Sequence, residues 1–156
     1  MSNRKKDRAG STACFFHKVH STPRIDISLK SAKITTMKMK VSHHEDQKYL
    51  EAVIDGGLDM ESFDRALAEM NAVMDRHQCR TVLYDLRQIQ IKLETHEIYY
   101  IPQLLCDKGN ADIKRAVLYP ENFEQDFTFF ETVSTNQGLN IRIFSNEKEA
   151  LDWLLS

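Results

Sequence analysis

Short β-branched runs alternating with amphipathic helical stretches predict an α/β fold, and three observations carry that expectation. Between about residues 37 and 156 the apolar spacing switches repeatedly between two residues and 3.6. The two most apolar runs, Arg80-Thr-Val-Leu-Tyr-Asp85 and Arg115-Ala-Val-Leu-Tyr119, are continuous, as in strands covered on both faces. Helical stretches separate them, which is the rhythm of parallel strands joined by crossovers. The expected order is ββαβαβαβα: a single mixed, mostly parallel five-stranded sheet with flanking helices.

Met37, Met39 and Val41 alternate with Lys38, Lys40 and Ser42, the pattern of a half-buried first strand. The polar run Ser42–Lys48 reads as a connection to a second strand, Tyr49–Ile54, and the pair most simply forms an antiparallel hairpin. Gly56-Gly57 is expected to end that strand. Asp59 is an N-cap type for the first helix. Met60, Phe63, Ala66, Leu67, Met70, Val73 and Met74 make its apolar stripe, read as core rather than as a methionine-rich groove.

After the strand Arg80–Asp85, a loop over Gln88–Glu94 leads to a helix capped by Thr95, with Ile98, Ile101, Pro102 and Leu105 inward. Pro102 is expected to kink or shorten it. The strand Arg115–Tyr119 precedes a third helix with Phe123, Phe127, Phe130 and Val133 on one stripe, closed by Gly138. Ile141–Phe144 is the last strand. Asn146 and Glu149 have capping-box spacing for a final helix whose Ala150, Trp153 and Leu154 face the sheet.

Residues 1–33 read as a basic, disordered tail ahead of a domain over 34–156. Across residues 1–36, eight Lys/Arg face two Asp, whereas the remainder holds 13 basic and 21 acidic groups. Beyond the isolated pair Phe15-Phe16 the tail shows no apolar periodicity, and it is not expected to bury enough surface to offset the entropy of ordering it. A start codon assigned too far upstream, with Met37 or Met39 the true first residue, explains it nearly as well. A nucleic-acid or anionic-membrane arm has only diffuse charge behind it, so no nucleic-acid partner is expected.

The 156 residues are 42% hydrophobic, with mean hydropathy −0.47. Apolar runs fall far short of the roughly 20 residues of a membrane span, and no apolar core follows the basic Arg4-Lys5-Lys6 as in a signal peptide. Cys14, Cys79 and Cys106 are odd in number and share no CxxC spacing, which suits reduced thiols in a cytoplasm.

Val53-Ile-Asp-Gly-Gly-Leu58, the helix after it and Thr81-Val-Leu-Tyr-Asp-Leu86 together resemble the opening of STAS domains, named for sulphate transporters and anti-sigma factor antagonists. Arg115–Pro120, Asn140–Phe144 and Glu149–Leu154 resemble the SpoIIAA-like, STAS/SEC14-type branch of small bacterial proteins. The resemblance spans about residues 37–156. It implies a cytoplasmic single domain that binds rather than turns over substrate. Anti-sigma factor antagonists of this type carry a phosphorylatable Ser or Thr in an Asp-Ser-Ser/Thr-Gly context after the third strand. The matching region here, Asp85–His96, holds neither an Asp-Ser pair nor a glycine, and Thr95 is the only substitute by position.

Among residues that could carry chemistry, Thr95 is the candidate phosphorylation or switch position, with a plain helix start as its bland reading. His43-His44, His77 and Cys79 lack metal-ligand spacing, so no metal or other cofactor is expected. Glu121, Glu124 and Asp126 suit a helix N-terminus without any catalytic purpose, and no catalytic constellation is visible. Tyr100 points about 160° from the inward face of its helix and Phe129 lies at the edge of its own. With Pro102 they form the candidate partner or ligand surface, beyond the carboxyl ends of the strands. The expected function is non-enzymatic binding or regulation through an unidentified protein partner or self-association. The alternative is a small apolar-ligand or lipid-binding protein of SEC14-like character.

Overall fold

The computed structural model describes residues 36–156; the expectations for residues 1–33 fall outside them. Ten elements follow one another. They are β1 (Lys38–His44), β2 (Tyr49–Leu58), α1 (Met60–His77), β3 (Thr81–Ile91), α2 (Thr95–Asp107) and β4 (Lys114–Leu118). A 3₁₀ turn (Glu121–Phe123), α3 (Glu124–Asn136), β5 (Ile141–Phe144) and α4 (Glu147–Leu154) complete the chain. The strands form one sheet in the order β1-β2-β3-β4-β5. β1 is antiparallel to β2, and all other neighbours are parallel. The α/β class and the order ββαβαβαβα are as the periodicity predicts.

A parallel sheet laid down in strictly sequential order, with crossovers of one hand, sends every crossover helix to the same face. α1, α2 and α3 accordingly share one face over a core that includes Leu67, Ile101, Leu105, Val117 and Phe127. The opposite face is left to α4, whose Ala150 and Leu154 are buried against Leu83, Ala116 and Leu118, with Trp153 packed at the edge. Phe63 and Trp153 are half-buried rather than fully enclosed, but both pack where the stripes predict.

Several boundaries differ from the sequence reading, each for a tertiary reason. β1 continues through His43 and His44 because Leu50 and Tyr49 pair with them, leaving only residues 45–48 as the turn. Gly56 and Gly57 do not end β2. They lie within it, just past an irregularity between Val53 and Asp55, and pair with Ile89 and Gln90. That added length of β2 supplies ladder partners for Gln88–Ile91, so most of the expected loop is strand. Gly56 is required where it stands: its φ is +92°, and a Cβ would lie 2.6 Å from the Thr36 carbonyl oxygen.

Asp59 caps α1 through a reciprocal pair. Its carboxylate accepts from the Ser62 N–H at 2.8 Å, and the Ser62 hydroxyl accepts from the Asp59 N–H at 2.9 Å. α2 runs on for five residues past Pro102 instead of stopping. The N-cap of α2 is Glu94 rather than Thr95, with Glu97 reaching back to the Glu94 N–H at 2.8 Å. In α4 the Asn146 side chain accepts from the Glu149 N–H at 3.2 Å. Glu131 of α3 accepts from the Ile143 N–H at 3.0 Å, which blunts the open edge of β5 against pairing with another chain.

Candidate functional site

α2 follows the carboxyl end of β3 and α3 follows that of β4, so their first turns lie at the sheet edge where parallel α/β folds carry their sites. There the Tyr99 ring meets the Phe129 ring edge-on, with centroids 4.7 Å apart. Tyr99 and Tyr100 are 52% and 53% exposed, the largest exposures of any aromatic among the described residues. Two aromatic rings left in water on adjacent residues are a costly surface for an isolated domain and an inexpensive anchor for a partner.

Of the three residues expected at this surface, Tyr100 is exposed and Phe129 is half-buried. Pro102 is not part of it: it is fully buried, on the face of α2 turned to the sheet. Helical spacing does not single out Tyr99, which sits about 110° round from the inward stripe and whose partner belongs to a helix 30 residues further on. Only the side-by-side placement of α2 and α3 brings the two rings together. Thr95 is exposed at the first helical position, one turn before Tyr99. Glu94 caps the start of α2, Glu121 opens the 3₁₀ turn, and Glu124 and Asp126 lie in the first turn of α3; all four are exposed.

Elsewhere the fold brings His43 against His77, with ring centroids 4.3 Å apart. His44 instead stacks on Tyr49 and bonds Glu51 at 2.9 Å, and the Cys79 thiol donates to the Lys48 carbonyl. Among the described residues no group of three or more His, Cys, Asp or Glu side chains could hold a metal ion. No helix among them is long and apolar enough to cross a membrane.

On the α4 face, Arg87 grips both carboxylate oxygens of Asp85, at 2.9 and 2.6 Å, and reaches Glu147 at 3.3 Å. The Arg87 side-chain hydrogen bonds hold the Asp85 carboxyl below its ordinary pKa, and the Ser62 N–H and hydroxyl do the same for Asp59. A carboxyl whose pKa falls on folding adds stability above its unfolded value, near 3.9, and loses it as pH drops through the folded value. Urea midpoints are therefore expected to fall between pH 5 and pH 3. In Asp85→Asn the fall should be shallower; an unchanged slope would remove Asp85 from the account.

No protein-family model matches the sequence, and no curated protein matches it at a significant level. Solved structures do match in shape. An uncharacterized protein of the DUF3478 family with a SpoIIAA-like fold, from Shewanella loihica PV-4, superposes with TM-score 0.53 at 16% identity, covering 76% of this chain and 93% of that one. An anti-sigma factor antagonist from Mycobacterium paratuberculosis gives 0.57 at 12% identity, covering 78% and 96%. The anti-sigma factor antagonist SpoIIAA in its unphosphorylated form gives 0.50 at 11%, covering 74% and 95%. The chain thus has the SpoIIAA-like fold of the STAS type, as the resemblance implied.

Proposed function

We propose that this domain is a non-catalytic regulatory module that binds a protein partner through the Tyr99–Tyr100–Phe129 ridge of α2 and α3. The observation that carries the reading is the exposed edge-on pair Tyr99–Phe129 beside Tyr100. Two of the solved structures that share the fold are anti-sigma factor antagonists, which supports a regulatory role. The acidic side chains at the starts of α2 and α3 favour a partner that presents an apolar side chain flanked by basic groups. Self-association through this patch is disfavoured, because a two-fold contact would set acid against acid.

Thr95 lies one helical turn from Tyr99, so a phosphate there would alter the charge beside the anchor. The SEC14-like alternative draws nothing from these neighbours. The apolar spaces between sheet and helices measure only about 100 and 90 Å³, far too small for the chains of a membrane lipid.

A photo-crosslinking residue at Tyr100 should capture one defined protein in the native host, and the same residue at Lys40 should not. Adding Tyr99→Ala should reduce the yield severalfold, and Thr95→Glu should change it. Adducts to a second copy of this chain, or equal yields at both positions, would refute the ridge as the contact.

A further inference from the structure

The apolar face beneath α1, α2 and α3 is incompletely filled, and a buried cation stands in its wall. One cavity of about 100 Å³ reaches in to Arg115 and Tyr84. A second, of about 90 Å³, extends toward Leu93 and Ile98, with Asp126 at its rim. Leu58, Phe63, Leu86, Ile101, Phe127 and Phe130 line both, so the two form one interrupted channel. An apolar cavity of about 150 Å³ holds a benzene ring. Neither space alone reaches that volume, so a ring or a short alkyl body is held only across both.

Arg115 is only 2% exposed. Its guanidinium donates to the Asn110 and Ile113 carbonyls at 2.9 and 3.2 Å and to the Asn110 side-chain oxygen at 3.2 Å. Those bonds use three of its five N–H groups, and the Tyr84 side chain lies beside it. Every one of these partners is neutral. Among the described residues no carboxylate pairs with Arg115; Asp112, near it in sequence, is exposed and turned to Arg80 at 3.3 Å. A guanidinium out of water without an anion is costly, and burial accordingly lowers its proton affinity.

From this juxtaposition we infer that the channel binds a small monocarboxylate with an aryl or short alkyl body, its carboxylate on Arg115 and its apolar part between Leu58, Ile101 and Phe130. The half-buried side chains of Phe63, Leu93, Ile98 and Phe130 line the outer of the two spaces, where Asp126 is exposed. This does not rest on the partner reading. A purely structural Arg115, stapling residues 110–113 to β4, would give no preference among ligand charges.

Titration of the full chain with phenylacetate, 2-phenylethanol and 2-phenylethylammonium, followed by amide NMR shifts, separates the two roles. Phenylacetate is expected to bind saturably, shifting Leu58, Ile101 and Phe130, with affinity at least tenfold above the alcohol's. The ammonium should not bind. Arg115→Met should erase the preference for the acid. Should that variant not fold, Phe130→Trp fills the channel while keeping the guanidinium and should abolish binding. Equal affinities for acid and alcohol, no saturable shift with phenylacetate, or undiminished binding by Phe130→Trp would each overturn the assignment.

Discussion

Truncating Phe127 to alanine is expected to lower the free energy of unfolding by about 3–5 kcal/mol. The ring is 7% exposed and stacks on Tyr119 with centroids 5.8 Å apart. It also stands in the wall of both apolar cavities, so its loss would merge them with the new void rather than open a separate one. A core that is already loosely filled has little material with which to collapse into the gap, which places the cost toward the upper part of that range. Chemical denaturation should show a lower midpoint with an unchanged m-value. A loss below about 1 kcal/mol would mean that α3 does not pack on this face as described.

Replacing Gly56 by alanine has the second largest expected effect, through the backbone rather than the core. A residue with a side chain at φ +92° is strained by about 1–3 kcal/mol. The added Cβ would also press on the Thr36 carbonyl at 2.6 Å, which only a shift of the chain entering β1 can relieve. Gly138 supplies the control. Its φ is +89° with nothing within 4 Å of an added Cβ, so Gly138→Ala reports the strain alone. Gly56→Ala should be the more destabilising of the two in thermal unfolding. Equal losses would remove the close approach as a reason for that glycine.

The two sites show how far residue patterns reach. Tyr100 stood out from helical spacing because it lies opposite an apolar stripe, a property of one helix. Tyr99 did not, since what distinguishes it is the Phe129 ring on a neighbouring helix. Arg115 reads in the sequence as one end of an apolar strand. Only the coordinates show that its guanidinium turns inward to Asn110 and that its side chain lines the empty space between sheet and helices. Pro102 is the reverse case: helical spacing puts it on the inward stripe, where the structure has it, and that burial removes it from the surface it was grouped with.

From the chain alone came the class of every strand and α-helix and their order, because those follow from periodicity within ten or so residues and from local caps such as Asp59 and Asn146. Packing decided how far each strand runs: β2 and β3 lengthen together since each supplies the other's hydrogen-bond partners at Gly56–Leu58 and Ile89–Ile91. It also decided that three helices crowd one face while α4 alone covers the other, and so where rings and a cation are left without company. Contacts between residues distant in the chain leave no mark on local spacing, and both proposed sites are built from such contacts.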